Sequence, residues 1–241
     1  MQLPEIIQRG EDLILPCSDP AVTVTPGYRR YLVGLDIAQS ASASGQNAFS
    51  IIMDERVPRW TQYAQELGPR RRVVVRSERI PAMAYTELAQ VIRNLMLQEP
   101  LASAGYLVVD ASGVGRAFCD LLNARGVQHT RMQITGGENE SESKERGVTF
   151  NNVSRNLLLN TLNGALHTGD LEIGDIPARL ELQAELESFE ASITAAGRTT
   201  ISGGTKAGHA DMAGSVAQAL WLSDHRSVGA TVGEVRLRGY W

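Results

Sequence analysis

The chain has 241 residues, of which 43% are hydrophobic and 21% charged, with a formal net charge of −4. That length allows one generous domain or two small ones, the composition is that of a globular protein, and no run reaches the roughly 18 apolar residues needed to span a bilayer. Net acidity weighs weakly against a nucleic-acid partner, although Lys144 and Lys206 are the only lysines and the remaining basic residues are arginines, whose planar fork suits phosphate oxygens. Arginine also rises in GC-rich genomes, the plainer explanation of the bias, and the densest basic triplet, Arg70-Arg71-Arg72, reads as solvated surface. The N-terminus lacks a basic segment followed by an apolar core, so no secretory signal is expected and a cytoplasmic location is. Cys17 and Cys119 stand far apart without nearby cysteine or histidine, which points to neither a disulfide framework nor zinc.

Residues 1–27 carry Pro4, Pro16, Pro20 and Pro26 with Gly10 and Gly27, and read as a leader or linker packed on the body of the domain. Residues 31–36 and 47–54 read as two strands joined by a small-residue loop, and 71–79 as a third. The segment 55–70, with Pro58, Trp60 and Pro69, reads as an excursion between them. The period then changes: Leu88, Val91, Ile92, Leu95 and Met96 fall at helical spacing over about 83–98. A short buried strand follows at 104–110, a helix from Gly113 to Arg125 closed by Gly126, and a strand at 127–134. The loop 135–147 is too rich in glycine and charge to pack. Helices are expected at about 152–167 and 177–187, two short strands around 188–194 and 198–202, and a long final helix over 208–225. This order predicts a mixed α/β sheet, an antiparallel opening meander followed by parallel crossovers, flanked by helices.

In such sheets ligands sit at the carboxyl ends of the parallel strands. Asp36 ends the first strand and Asp110 the fourth; if those strands are neighbours, two carboxylates meet at one edge. Bare carboxylates at that distance repel and raise each other's pKa, so they share a proton or a divalent cation lies between them. Asp211, in the first turn of the last helix, is a third candidate and interacts well with the helix dipole. Each acid taken alone also reads as a turn residue or helix cap. Together, without a histidine or cysteine cluster, they suit Mg²⁺ or Mn²⁺, and paired sites of that kind cleave phosphodiesters. Ser112, Gly113 and Gly115 open a helix and either offer N–H groups to a phosphate or form a tight turn. His209 is either a phosphate-orienting group or a solvent-facing helix-terminal residue. The 135–147 loop, with Lys144 and Arg146, is open between a DNA-contact flap and simple disorder.

"YLVGLDIAQSASASGQNAFSIIMD", "YLVVDASGVGRAFCDLLNARGV", "QITGG" and "GHADMAGSVAQALW" resemble, in order, the nuclease domain of phage terminase large subunits over about residues 28–225. The resemblance implies an RNase H-like nuclease domain (28–226) between a linker (1–27) and a C-terminal tail (227–241). It implies an endonuclease that cuts concatemeric viral DNA during packaging with two Mg²⁺ or Mn²⁺ ions. Asp36 would bridge the two ions, with Asp110 and Asp211 each completing one. Double-stranded DNA would be the substrate, with Ser112, Gly113, Lys144, Arg155, Lys206 and His209 as contact candidates. The terminase small subunit, the portal and an ATPase motor would be partners in the host cytoplasm. The sequence departs from the family where Gln46 and Asn47 replace a frequent further acid, where the last motif reads His209-Ala210-Asp211, and where Arg155 stands in a position often held by lysine.

No G-x-x-x-x-G-K-[ST] occurs, so the motor is expected on another chain or on a removed segment. A junction resolvase would keep the fold and change the substrate. Actin-like sugar kinases and ATPases also open with a "GLDI" strand, but their phosphate loops need Gly/Thr-rich turns where Gln39-Ser40-Ala41 stands. A catalytically inactive prophage remnant would leave the three aspartates without metal.

Overall fold

The computed structural model describes residues 5–38, 46–62, 64–193, 199–202 and 210–226; the expected tail at 227–241 lies outside them. Within the leader, β1 (Ile7–Arg9) and β2 (Asp12–Ile14) form a hairpin, and β2 pairs antiparallel with β3 (Gly27–Asp36). The two-residue turn needs a positive φ at its first position, which Gly10 supplies at +60°. β4 (Asn47–Trp60) and β5 (Gln65–Ile80) then form one long antiparallel hairpin. The excursion expected at 55–70 is therefore a correction: the strands run through it. Their register shifts between Arg56 and Pro58, so Gly68 and Pro69 drop out of the pairing. A bulge tolerates prolines that would break a regular ladder.

The helical period at 83–98 appears as α1 (Tyr85–Met96), followed by the one-turn α2 (Leu101–Ala104), β6 (Gly105–Asp110), α3 (Gly115–Ala124) and β7 (Thr130–Thr135). The 135–147 segment is a second correction. Residues Glu140–Glu145 form β8, antiparallel to β9 (Val148–Ser154), and this displaces the expected helix start from 152 to α4 (Arg155–Thr168). Ser154 caps α4 by accepting the Leu157 N–H at 3.4 Å. The short β10 (Glu172–Ile173), α5 (Arg179–Glu187), the separate hairpin of β11 (Glu190–Ile193) and β12 (Thr199–Ser202), and α6 (Asp211–His225) complete the order.

Among the described residues ten strands make one sheet in the order β10-β5-β4-β3-β6-β7-β9-β8, extended beside β3 by β2 and β1. β3, β6, β7 and β9 run parallel, whereas β3, β4 and β5 alternate. Strand periodicity sends Val33, Leu35, Leu107 and Val109 to a core with Leu88, Ile92 and Phe118 of α1 and α3. It sends Leu32 and Val108 to a second core with Leu158, Leu162, Leu182, Met212, Val216 and Leu220 of α4, α5 and α6. The sheet is thus covered on both faces, as parallel central strands require. Helix α6 lies unusually close to β3: a Cβ on Gly34 would fall 2.0 Å from the Ser215 carbonyl oxygen.

The far end of α6 is fastened by buried charge. Asp54 is fully buried and accepts from Arg30, Arg70, Ser223 Oγ and Tyr28, at 2.9–3.3 Å. Arg30 also donates to the Ser223 and Arg226 carbonyls at 2.9 and 2.8 Å, satisfying acceptors that a helix end leaves open.

Candidate active site

The register fixes the first two acids. β3 pairs parallel with β6 through Leu35 opposite Val109, so the next residues, Asp36 and Asp110, stand at corresponding positions where both strands end. Period-2 alternation puts Asp36 on the face of Leu32 and Gly34, and Asp110 on the face of Val108, which is the face α6 covers. Asp211 is the first residue of α6. All three are half-buried. A Cβ on Gly214 would lie 2.7 Å from Asp36 Oδ2, so the first turn of α6 rests directly against that carboxyl.

Electrostatics tie the three together. The Asp36 carboxyl is pushed up to about 8, first by burial, then by the negative charges of Asp110 and Asp211; Arg155 opposes the shift and Glu185 adds to it. Asp110 Oδ1 accepts the Ser112 N–H at 2.8 Å, and Ser112 Oγ accepts the Ile134 N–H at 3.0 Å. Ser112 thus orients Asp110 and stitches the turn to β7, while Gly113 is exposed with φ +54°. Arg155 is exposed at the first position of α4 and acts on Asp36 through space. Lys144 lies opposite Thr149, near the turn of the β8–β9 hairpin and 3.8 Å from Glu142, and is not brought to the acids. Lys206 and His209 lie outside the described residues.

A fourth acid joins this field that the sequence reading missed. Glu185 of α5 is fully buried; burial pushes its carboxyl above the ordinary value, opposed by the Ala213 N–H and by Arg79. Its Oε2 accepts from Ala213 N at 2.9 Å, and its Oε1 is paired with Arg79. A signal was available: with Leu182 and Leu186 it occupies the inner stripe of α5, where an acid needs a buried partner.

The donor set is carboxylate oxygen, the kind hard divalent cations take. A charge excess that keeps a proton on Asp36 is the state such a cation relieves, so the residues fit Mg²⁺ or Mn²⁺ in chemistry. Among the described residues, however, no three histidine, cysteine, aspartate or glutamate side chains stand close enough to hold an ion as they are. Asp36, Asp110 and Asp211 share a field, and their carboxylates would have to draw in to share an ion.

The architecture is a mixed sheet with parallel strands β3, β6, β7 and β9 behind an antiparallel meander, flanked by helices. Solved structures with the same fold are nuclease domains of phage large terminases. The large terminase nuclease of thermophilic phage G20c superposes with a TM-score of 0.53 at 18% identity, over 91% of this chain and 92% of that one. The nuclease domain from Thermus phage P74-26 gives 0.52 at 18% identity, over 91% and 89%. The G20c nuclease with bound magnesium gives 0.51 at 19% identity, over 90% of each chain. No protein-family model and no curated protein sequence matches the chain.

Proposed function

We propose that the chain is a divalent-metal-dependent DNA endonuclease that cuts concatemeric viral DNA during genome packaging. The observation that carries this reading is the convergence on Asp36: Asp110 beside it by strand register and Asp211 at the start of the helix against it, all three within one electrostatic field. The shared fold of the G20c and P74-26 nucleases, and the magnesium bound in the former, support it. Asp36, Asp110 and Asp211 would hold two Mg²⁺ or Mn²⁺ ions, with Asp36 common to both. Bound there, the ions would supply a nucleophilic water and neutralise the departing oxygen.

The remaining work falls to the chain. Ser112 holds the Asp110 carboxylate in orientation, and Arg155 places positive charge at the edge where the phosphodiester approaches. Exposed Gly113 lets the backbone come close at the same edge. Double-stranded DNA is the substrate of this reading, and a packaging motor, the terminase small subunit and the portal are its partners. Among the described residues no helix is long and apolar enough to cross a membrane.

A catalytically inactive packaging module is the second reading, favoured by the open spacing of the acids. Digestion of supercoiled plasmid decides between them. The wild type should convert plasmid only with Mg²⁺ or Mn²⁺, and Asp110→Ala should slow the conversion by about 100-fold or more, the scale of losing one electrostatic stabiliser of the transition state. Equal rates in the two proteins would refute the assignment of the site, and no metal-dependent conversion by the wild type would favour the inactive module.

A further inference from the structure

Helix α6 begins without a cap of its own. Its N-cap residue is Ala210, which has no side chain able to accept a hydrogen bond, yet the first N–H groups of a helix need acceptors. Glu185 supplies one from a different helix: Oε2 takes the N–H of Ala213, two residues beyond Asp211, at 2.9 Å. The same carboxylate is gripped on its other oxygen by Arg79 of β5, whose Nη1 also reaches Glu181 Oε2 at 2.8 Å. Glu185 is fully buried, and a buried carboxylate is sustained only by such partners. The same first turn of α6 presses Gly214 against Asp36 Oδ2.

The first turn of α6 carries Asp211 and leans on Asp36 through Gly214, so its hydrogen bond to a buried, Arg79-paired carboxylate fixes where Asp211 stands. An Arg79-paired carboxylate also complements the positive end of the helix, which a neutral cap does not.

We propose that the Arg79–Glu185 pair is a positioning clasp that holds the first turn of α6, and with it Asp211, at working distance from Asp36. The proposal rests on the nuclease reading for its purpose, but the clasp itself is a property of the metal-free protein. Two variants are informative. Glu185→Gln keeps an oxygen for the Ala213 N–H and loses the ion pair; Glu185→Leu loses both. Two measurements on the full chain, made well below the melting temperature of each variant, separate the outcomes: amide hydrogen exchange at Ala213 without metal, and Mn²⁺ affinity by calorimetry.

Glu185→Leu should accelerate exchange at Ala213 and weaken Mn²⁺ binding by about 10-fold or more, the loss that follows removal of a group supporting a ligand. Glu185→Gln should fall between it and the wild type. Raising Mn²⁺ should restore cleavage by both variants at a temperature where each is fully folded without metal, since Asp36, Asp110 and Asp211 remain. Unchanged Mn²⁺ affinity in a folded Glu185→Leu, with the wild type binding the ion, would overturn the proposal. If the wild type binds no Mn²⁺, the nuclease reading fails, and exchange at Ala213 still decides: protection retained in Glu185→Leu overturns the clasp. If Glu185→Leu does not fold, Glu185→Gln carries the same comparison, and identical exchange and affinity in it overturn the proposal.

Discussion

Asp36 is a carboxyl whose surroundings decide its charge. Burial and the two neighbouring aspartates raise it from 3.8 to about 8, so the folded protein keeps a proton that the unfolded chain loses over that window. The folded state binds more protons between those values, and its stability therefore falls as pH climbs from about 4 towards 8. A cation at the site reverses the balance and expels the proton. Mn²⁺ titrated into the protein at pH 7 should release about one proton per site, seen as a binding enthalpy that changes with the ionisation enthalpy of the buffer. Asp36→Asn should abolish that dependence, and a buffer-independent enthalpy in the wild type would contradict the assigned protonation. Gly214 is the steric counterpart. Alanine there would place a Cβ 2.7 Å from Asp36 Oδ2, so Gly214→Ala should cut cleavage more than 10-fold while costing about 1–3 kcal/mol of stability, checked by plasmid digestion beside urea denaturation. The acids at 36, 110 and 211 were legible because each terminates a strand or opens a helix. Glu185 shows in the sequence only as an acid on the apolar stripe of α5, because its partners, Arg79 and Ala213, are remote in sequence and the fold reveals them.

At the scale of elements, α6 sets the spacing of the site, and it is held at both ends. Its N-terminus meets Glu185 and Asp36; its C-terminus is bound by Arg30 and Arg70 to Asp54 on β4. Burial alone would raise Asp54, but Arg70 and Arg30 overcome it and hold the carboxyl below its ordinary value. Its contribution has the opposite sign to that of Asp36: it is present at neutral pH and lost as acid protonates the group below the ordinary carboxylate range. Asp54→Ala would strand a fully buried guanidinium, that of Arg30, and should cost about 3–5 kcal/mol, read as a lower urea midpoint. A loss below about 1 kcal/mol, the worth of an exposed pair, would show that α6 does not depend on this fastening. The helical period revealed α6 because Met212, Val216, Leu220 and Trp221 repeat on its inner side. β8 was hidden for the converse reason: as the outermost strand beside β9, with five of its six residues exposed, it carries the charged side chains that protect a sheet edge and so reads as a loop. Its anchor to α6, Glu140 accepting from Trp221 Nε1 at 2.9 Å and lying 3.0 Å from His225 Nε2, joins residues distant in sequence.

For the whole molecule, alternating strands and helices predicted both the antiparallel opening and the parallel run after it, whereas the adjacency of β3 and β6, only a condition in the sequence, is supplied by the fold. Pro58 and Pro69 concealed the length of the β4–β5 hairpin, because a bulge accommodates what a regular ladder would not. In the proposed function this topology would bring Asp36, Asp110 and Asp211 to common divalent cations. Anomalous diffraction from crystals soaked in Mn²⁺ tests it most directly. Peaks are expected at the carboxyl ends of β3 and β6, with oxygens of Asp36, Asp110 and Asp211 drawn in to roughly 2.1 Å and the Asp36 carboxylate shared between two ions. Crystals that show no peak at this edge, or manganese bound only elsewhere on the chain, would contradict it.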